Sequence, residues 1–89
     1  MVTVKRMVLD VLKPHQPNAL DFAKSIADIG IGCCVHLTVM EVDEKTETLQ
    51  VEVVGDSLDF DAIQTSISDM GGSLHSIDEV EVLGELGVG

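Results

Sequence analysis

From Thr3 to Lys13 the chain alternates: Met7, Leu9 and Val11 fall on one face, and Val4, Arg6, Val8, Asp10 and Leu12 on the other. A period of two predicts a strand with one buried face. Pro14-His15-Gln16-Pro17-Asn18 then ends it, because each proline removes a donor and restricts the residue before it. At Asn18 the period changes to that of a helix. Asn18 is the predicted N-cap, with Asp21 three residues later in a capping-box-like position. Leu20, Phe22, Ala23, Ile26, Ala27 and Ile29 form the predicted inner stripe, and Gly30 the stop.

Alternation returns from Cys33 to Asp43 and from Glu47 to Val54, joined by the short polar turn Asp43-Glu44-Lys45-Thr46, which predicts a hairpin. A second helix is expected from about Phe60 to Met70, capped by Asp59, lined by Phe60, Ile63, Ile67 and Met70, and ended by Gly71-Gly72. The last run, Ser73 to Val82, breaks the pattern. Leu74, Ile77 and Val80 are three apart, so a β-bulge between Ser76 and Glu79 is needed to return both ends to the core.

The order is therefore β-α-β-β-α-β. With right-handed crossovers it gives an α+β, ferredoxin-like split βαβ sandwich: an antiparallel sheet ordered 4-1-3-2 with both helices on one face. One domain, residues 1–83, and a frayed tail, 84–89, are expected. Val4, Val8, Leu12, Met40, Val42 and Val54 would collect on the helix-free face, an apolar surface that calls for a partner. Strands 2 and 4 are open edges, which invite pairing. A homo-oligomer is the simplest expectation, with a ring or other higher assembly favoured over an isolated dimer.

Charge narrows the partners. Sixteen acidic against five basic residues leave a net charge of −11, with no basic patch to neutralise phosphates. Nucleic acid and anionic membrane surfaces are thus not expected partners. Lys5, Arg6 and Asp10 break the first apolar run, so no signal peptide is expected, and no stretch approaches a membrane helix. Cys33 and Cys34 are adjacent and fit neither a disulfide framework nor a CxxC motif, which suits a reducing, cytoplasmic setting. With His36 they offer an alternative reading as a soft-metal set.

Two clusters carry candidate chemistry. Asp56, Asp59 and Asp61 place three carboxylates in six residues, a density of hard oxygen ligands that suits Ca²⁺ or Mg²⁺. The plain structural reading is acidic complementation of a helix N-terminus. His75, Asp78 and Glu79 sit on the irregular strand and can bind a divalent cation or do acid–base work. Their structural reading is a His75–Asp10 hydrogen bond across the strand pair. The topology also gathers His15, Asp10, Glu41, Asp43, Glu47, His75 and Asp78 toward one end of the sheet. His15 reads as a ligand or a loop residue, and Asp43, Glu44 and Glu47 as a solvated hairpin. No nucleophile motif or phosphate-binding loop is present.

Val8-Leu9-Asp10-Val11-Leu12-Lys13-Pro14-His15, Leu58-Asp59-Phe60-Asp61 and Gly71-Gly72-Ser73-Leu74-His75-Ser76-Ile77-Asp78-Glu79-Val80 together resemble a small archaeal family, number 211 among the domains of unknown function. The resemblance covers almost the whole chain. It implies a ferredoxin-like fold, a cytoplasmic archaeal protein and homo-oligomers, and no activity. The leading expectation is a non-enzymatic, oligomeric binding or regulatory module that holds a divalent cation through carboxylates. The alternatives are a small enzyme pairing His75 with Asp10 or Asp78 between subunits, and a purely structural assembly protein.

Overall fold

The computed structural model describes residues 2–85. Its elements are β1 (Thr3–Pro14), α1 (Ala19–Ala27), β2 (Cys34–Val42), β3 (Thr46–Val54), α2 (Phe60–Asp69) and β4 (Ser73–Leu83). The sheet is ordered β2-β3-β1-β4 and is antiparallel throughout, which is the expected 4-1-3-2 sandwich. Phe22 and Ile26 of α1 and Ile63 and Ile67 of α2 join Met7, Leu9, Val11, Leu49, Val51 and Val53 in one core, so both helices lie on the same sheet face.

Local chemistry fixes the helix ends. The Asn18 side chain accepts from the Asp21 amide at 2.8 Å, and that of Asp59 from the Ala62 amide at 3.1 Å. At the end of α2, Gly71 takes φ +83°, donating to the Ser68 carbonyl at 2.9 Å, while Gly72 donates to that of Ile67 at 2.9 Å. This pair of bonds is a Schellman motif, which needs a residue free to adopt positive φ. The end of α1 differs from the expectation. The helix stops at Ala27, and the residue with positive φ is Gly32, at +74°, with Gly30 an ordinary turn residue. Leu20 also points outward: it lies two residues before Phe22, about 200° around a helix, and cannot share the face of Phe22 and Ile26.

Among the described residues, four positions interrupt the strand registers. Leu9 faces Ile77 and Val8 faces Glu79, which leaves Asp78 as an extra residue, the bulge expected from the spacing. A second bulge falls at His75, between the pairs Val11–Leu74 and Asp10–Ser76. Together they bring Leu74, Ile77 and Val80 opposite Val11, Leu9 and Met7, on the helix side. Lys5 is the third and Met40 the fourth.

These bulges also correct the expected helix-free face. Skipping Lys5 changes parity, so Val4 packs against the core. Skipping Met40 sets Val42 opposite Glu47, on the helix side. Val8 keeps its face but is 2% exposed. Arg6 reaches over that face, its Nε donating to Glu52 at 2.7 Å and a terminal nitrogen to Glu79 at 3.0 Å, the two residues that flank Val8. The bonds to Glu79 and then Glu52 hold the guanidinium pKa above its ordinary value. The middle of the open face is a charged bracket over a buried valine.

Gly72 is buried where α2 turns into β4. A Cβ there would lie 3.0 Å from Ile67 Cγ2, 3.1 Å from the Ile67 carbonyl oxygen and 3.2 Å from Phe22 Cζ. Gly72→Ala is expected to cost about 1–3 kcal/mol through overpacking, read as a lower melting temperature. An unchanged melt would show that this corner has room to relax.

Candidate functional site

The helix-side stripe of β1 continues past Val11 to Lys13, which is fully buried. Its stem extends the apolar column, and its ammonium leaves the core at the β1–α1 loop. There Nζ donates to the Pro14 carbonyl at 2.8 Å and the Pro17 carbonyl at 2.7 Å, with the His15 carbonyl at 3.5 Å and Glu47 Oε1 at 3.1 Å. Three donors thus meet three close oxygens and one distant one, which satisfies a buried ammonium. The loop that curls round it contains a cis Gln16–Pro17 peptide.

Glu47 links this loop to the β2–β3 hairpin. Its Oε2 lies 3.0 Å from His15 Nδ1, and His15 Nε2 lies 2.9 Å from the Glu44 carbonyl oxygen. The Glu47 bond, followed by the Glu44 carbonyl, raises the His15 pKa above its ordinary value. His15 and then Lys13 lower that of Glu47. His15 and Glu47 were both legible as candidates for this end of the sheet. Lys13 was missed, although a lysine at an odd position of a stripe whose other odd positions are apolar was the available signal.

The remaining candidates separate. Asp56, Asp59 and Asp61 lie in and just after the β3–α2 connection, which is tied to the start of β1 by Gly55 and Leu58 amides donating to Lys5 and Val4 carbonyls. Asp59 is engaged as the α2 cap, and Asp61 lies in the first turn. Beside them a cavity of about 170 Å³ opens between the end of α1 and the start of α2, lined by Ile29, Cys33, Asp56, Leu58, Asp59 and Ile63. Burial, and secondarily Cys34, pushes the Cys33 thiol pKa up, away from thiolate reactivity.

His75 stands on β4 at the bulge beside Val11, five to six residues along β1 from Lys5, or about 20 Å at the rise of a strand. The aspartates and His75 therefore occupy different ends of one protomer. Among the described residues no hydrogen bond joins His75 to Asp10 or Asp78; Ser76 stands opposite Asp10 and donates to Asp78 Oδ1 at 2.7 Å. Asp10 and Asp78 do share a shallow depression of about 270 Å³ with Met40, Thr48 and Gln50 on the open face. Glu79 is bound by Arg6, and Glu41 faces Thr48. Among the described residues no group of three or more His, Cys, Asp or Glu is placed to hold a metal ion. Nor is any helix among them long and apolar enough to cross a membrane.

Comparison with known proteins adds a family without adding an activity. The pattern of DUF211, described as an uncharacterised ArCR, matches residues 5–87. An uncharacterised protein of Methanocaldococcus jannaschii is 46% identical over 77 residues, which is 86% of this chain and 79% of that protein. Another uncharacterised protein, of Archaeoglobus fulgidus, is 38% identical over 61 residues, 58% of this chain and 38% of its own length.

Replacing Lys13 by Met keeps the stem and deletes the ammonium, leaving loop carbonyls and Glu47 without their donor. The expected loss is about 3 kcal/mol, the low end for a broken buried pair because Glu47 still reaches water. The exposed Lys24→Met should change stability by less than about 0.5 kcal/mol. Equal melting temperatures for the two variants would contradict a central role for Lys13.

Proposed function

The chain belongs to this archaeal family, and we propose that it works as a non-enzymatic, self-assembling binding module whose copies meet along the edges of the sheet. The observation that carries this reading is the state of β4. This edge strand leaves Ile77, Val80, Val82 and Leu83 47%, 59%, 49% and 46% exposed, beside a row of unpaired backbone groups. The opposite edge, β2, exposes Val39, Met40 and Val42.

Charge selects the pairing. Setting β4 against β4 would bring Asp78, Glu79 and Glu81 of two copies together, at a cost in like-charge repulsion. The β2 edge carries one carboxylate, Glu41, along with His36 and Thr38. A β4-to-β2 contact is therefore favoured. Such a contact is heterologous and repeats until it closes into a ring or another higher assembly.

The ligand proposed for this module is a divalent cation, Ca²⁺ or Mg²⁺. Among the described residues neither the Asp56, Asp59 and Asp61 group nor the His75, Asp78 and Glu79 group is placed to hold an ion within one protomer, so the proposed site takes donors from two copies. A cation there would also offset part of the −11 charge that each copy brings. The setting proposed is the cytoplasm, where Cys33 and Cys34 stay reduced.

Light scattering on the eluting protein at micromolar concentration is expected to give a multimer, and Ile77→Asp with Val80→Asp a monomer with unchanged far-ultraviolet dichroism. A monomeric parent would remove the assembly. Separately, Ca²⁺ is expected to raise the melting temperature of the parent and to do so less in Asp78→Asn with Glu79→Gln. Identical parent melts in Ca²⁺ and in chelator would remove the cation.

A further inference from the structure

His15 presents both ring nitrogens to oxygens that can only accept. Nδ1 faces Glu47 Oε2 at 3.0 Å and Nε2 faces the Glu44 carbonyl at 2.9 Å. A neutral imidazole carries one proton, so it can donate to one of these and must turn a lone pair toward the other. Only the doubly protonated ring satisfies both. The charged residues of the surrounding elements are Lys13 on β1, which holds the other oxygen of Glu47, and Asp43, Glu44, Lys45 and Glu47 in the hairpin.

We propose that His15 is a proton-operated latch: as an imidazolium it fastens the β2–β3 hairpin to the β1–α1 loop, and loss of one ring proton lets the hairpin open. The two segments are far apart in sequence; backbone pairing of β1 with β3 runs as far as Pro14 and Thr46, and beyond it the His15 ring reaches the Glu44 carbonyl at the hairpin tip. Lys13 anchors the loop from beneath with three backbone carbonyls, so the loop is the fixed member and the hairpin tip the moving one. The tip closes with the Asp43 amide donating to the Thr46 carbonyl at 2.8 Å. Because Val42 faces Glu47 at the end of β2, the latch sets how far that edge strand stays ordered.

The sign follows from linkage. The histidine pKa is higher in the latched than in the open form, so the latch is fully closed at pH below the open-form value. It weakens as pH rises through the latched value. The low-pH limit comes from Glu47, whose lowered pKa keeps its carboxylate available until the solution is distinctly acid.

The test is nitrogen-15 NMR of the histidine rings in the full chain across the neutral range, with amide exchange of the hairpin on the same samples. His15 is expected to stay doubly protonated above about 6.5, the usual histidine midpoint. The protection factor of the Asp43 amide should step down between the open-form value and the His15 midpoint, by about tenfold for each unit that separates them. His15→Gln should abolish the step, and Glu47→Gln should lower the His15 midpoint. A His15 midpoint at or below the usual value, or Asp43 protection with no step there, would overturn the latch. Both readings come from the parent protein, so neither depends on a variant folding.

Discussion

β1 is hydrogen-bonded on both sides, so every odd-numbered side chain from Met7 to Lys13 must find cover on the helix side. The helices that supply it have nine and ten residues, about 14–15 Å each, against about 40 Å for the twelve-residue strand. Met7, Leu9 and Val11 fall under the helices and close the core with Phe22, Ile26, Ile63 and Ile67. Lys13 falls at the margin of that cover. An aliphatic stem with a charged tip suits the place: the stem stays dry while the ammonium organises the loop carbonyls around it. The same ammonium holds Glu47, and Glu47 holds His15, so the loop and the hairpin are joined by one chain of side chains.

The shortfall of the helix layer also governs the far side of the sheet. β4 continues the core columns, with Leu74, Ile77 and Val80 facing Val11, Leu9 and Met7. Leu74 is half-buried against the core, while Ile77 and Val80 are about half exposed. Its two bulges recover the helix-side column at the expense of a flat edge, and they leave His75 and Asp78 as unpaired positions. β4 is thus well joined to β1 on its inner side and unpartnered, apolar and acidic on its outer side. Such a strand is suited to heterologous contact and poorly suited to self-pairing.

The fold was readable because period, caps and stops agreed. Asn18 and Asp59 cap where expected, Gly71-Gly72 stops α2, and the three-residue spacing in β4 marks a bulge. What escaped depends on pairing rather than on the local pattern. The bulges at Lys5 and Met40 leave no trace in alternation, yet they move Val4 and Val42 across the sheet. The site was legible only in part. His15 and Glu47 are legible as candidates for one end of the sheet, but their joining needs the folded loop around Lys13. The aspartates were recognisable as a cluster, and Asp59 proves to be engaged as a cap. Asp10 stands opposite Ser76 because the His75 bulge shifts the register by one.

The central claim is that β4 is the strand along which copies of this protein meet. Its most direct test is hydrogen–deuterium exchange of the β4 backbone amides over a dilution series. Pairing along β4 predicts that outward amides between Ile77 and Leu83 are protected at high protein concentration and lose protection on dilution, while the β1 amides stay protected throughout. Outward β4 amides that exchange freely at every concentration would contradict it.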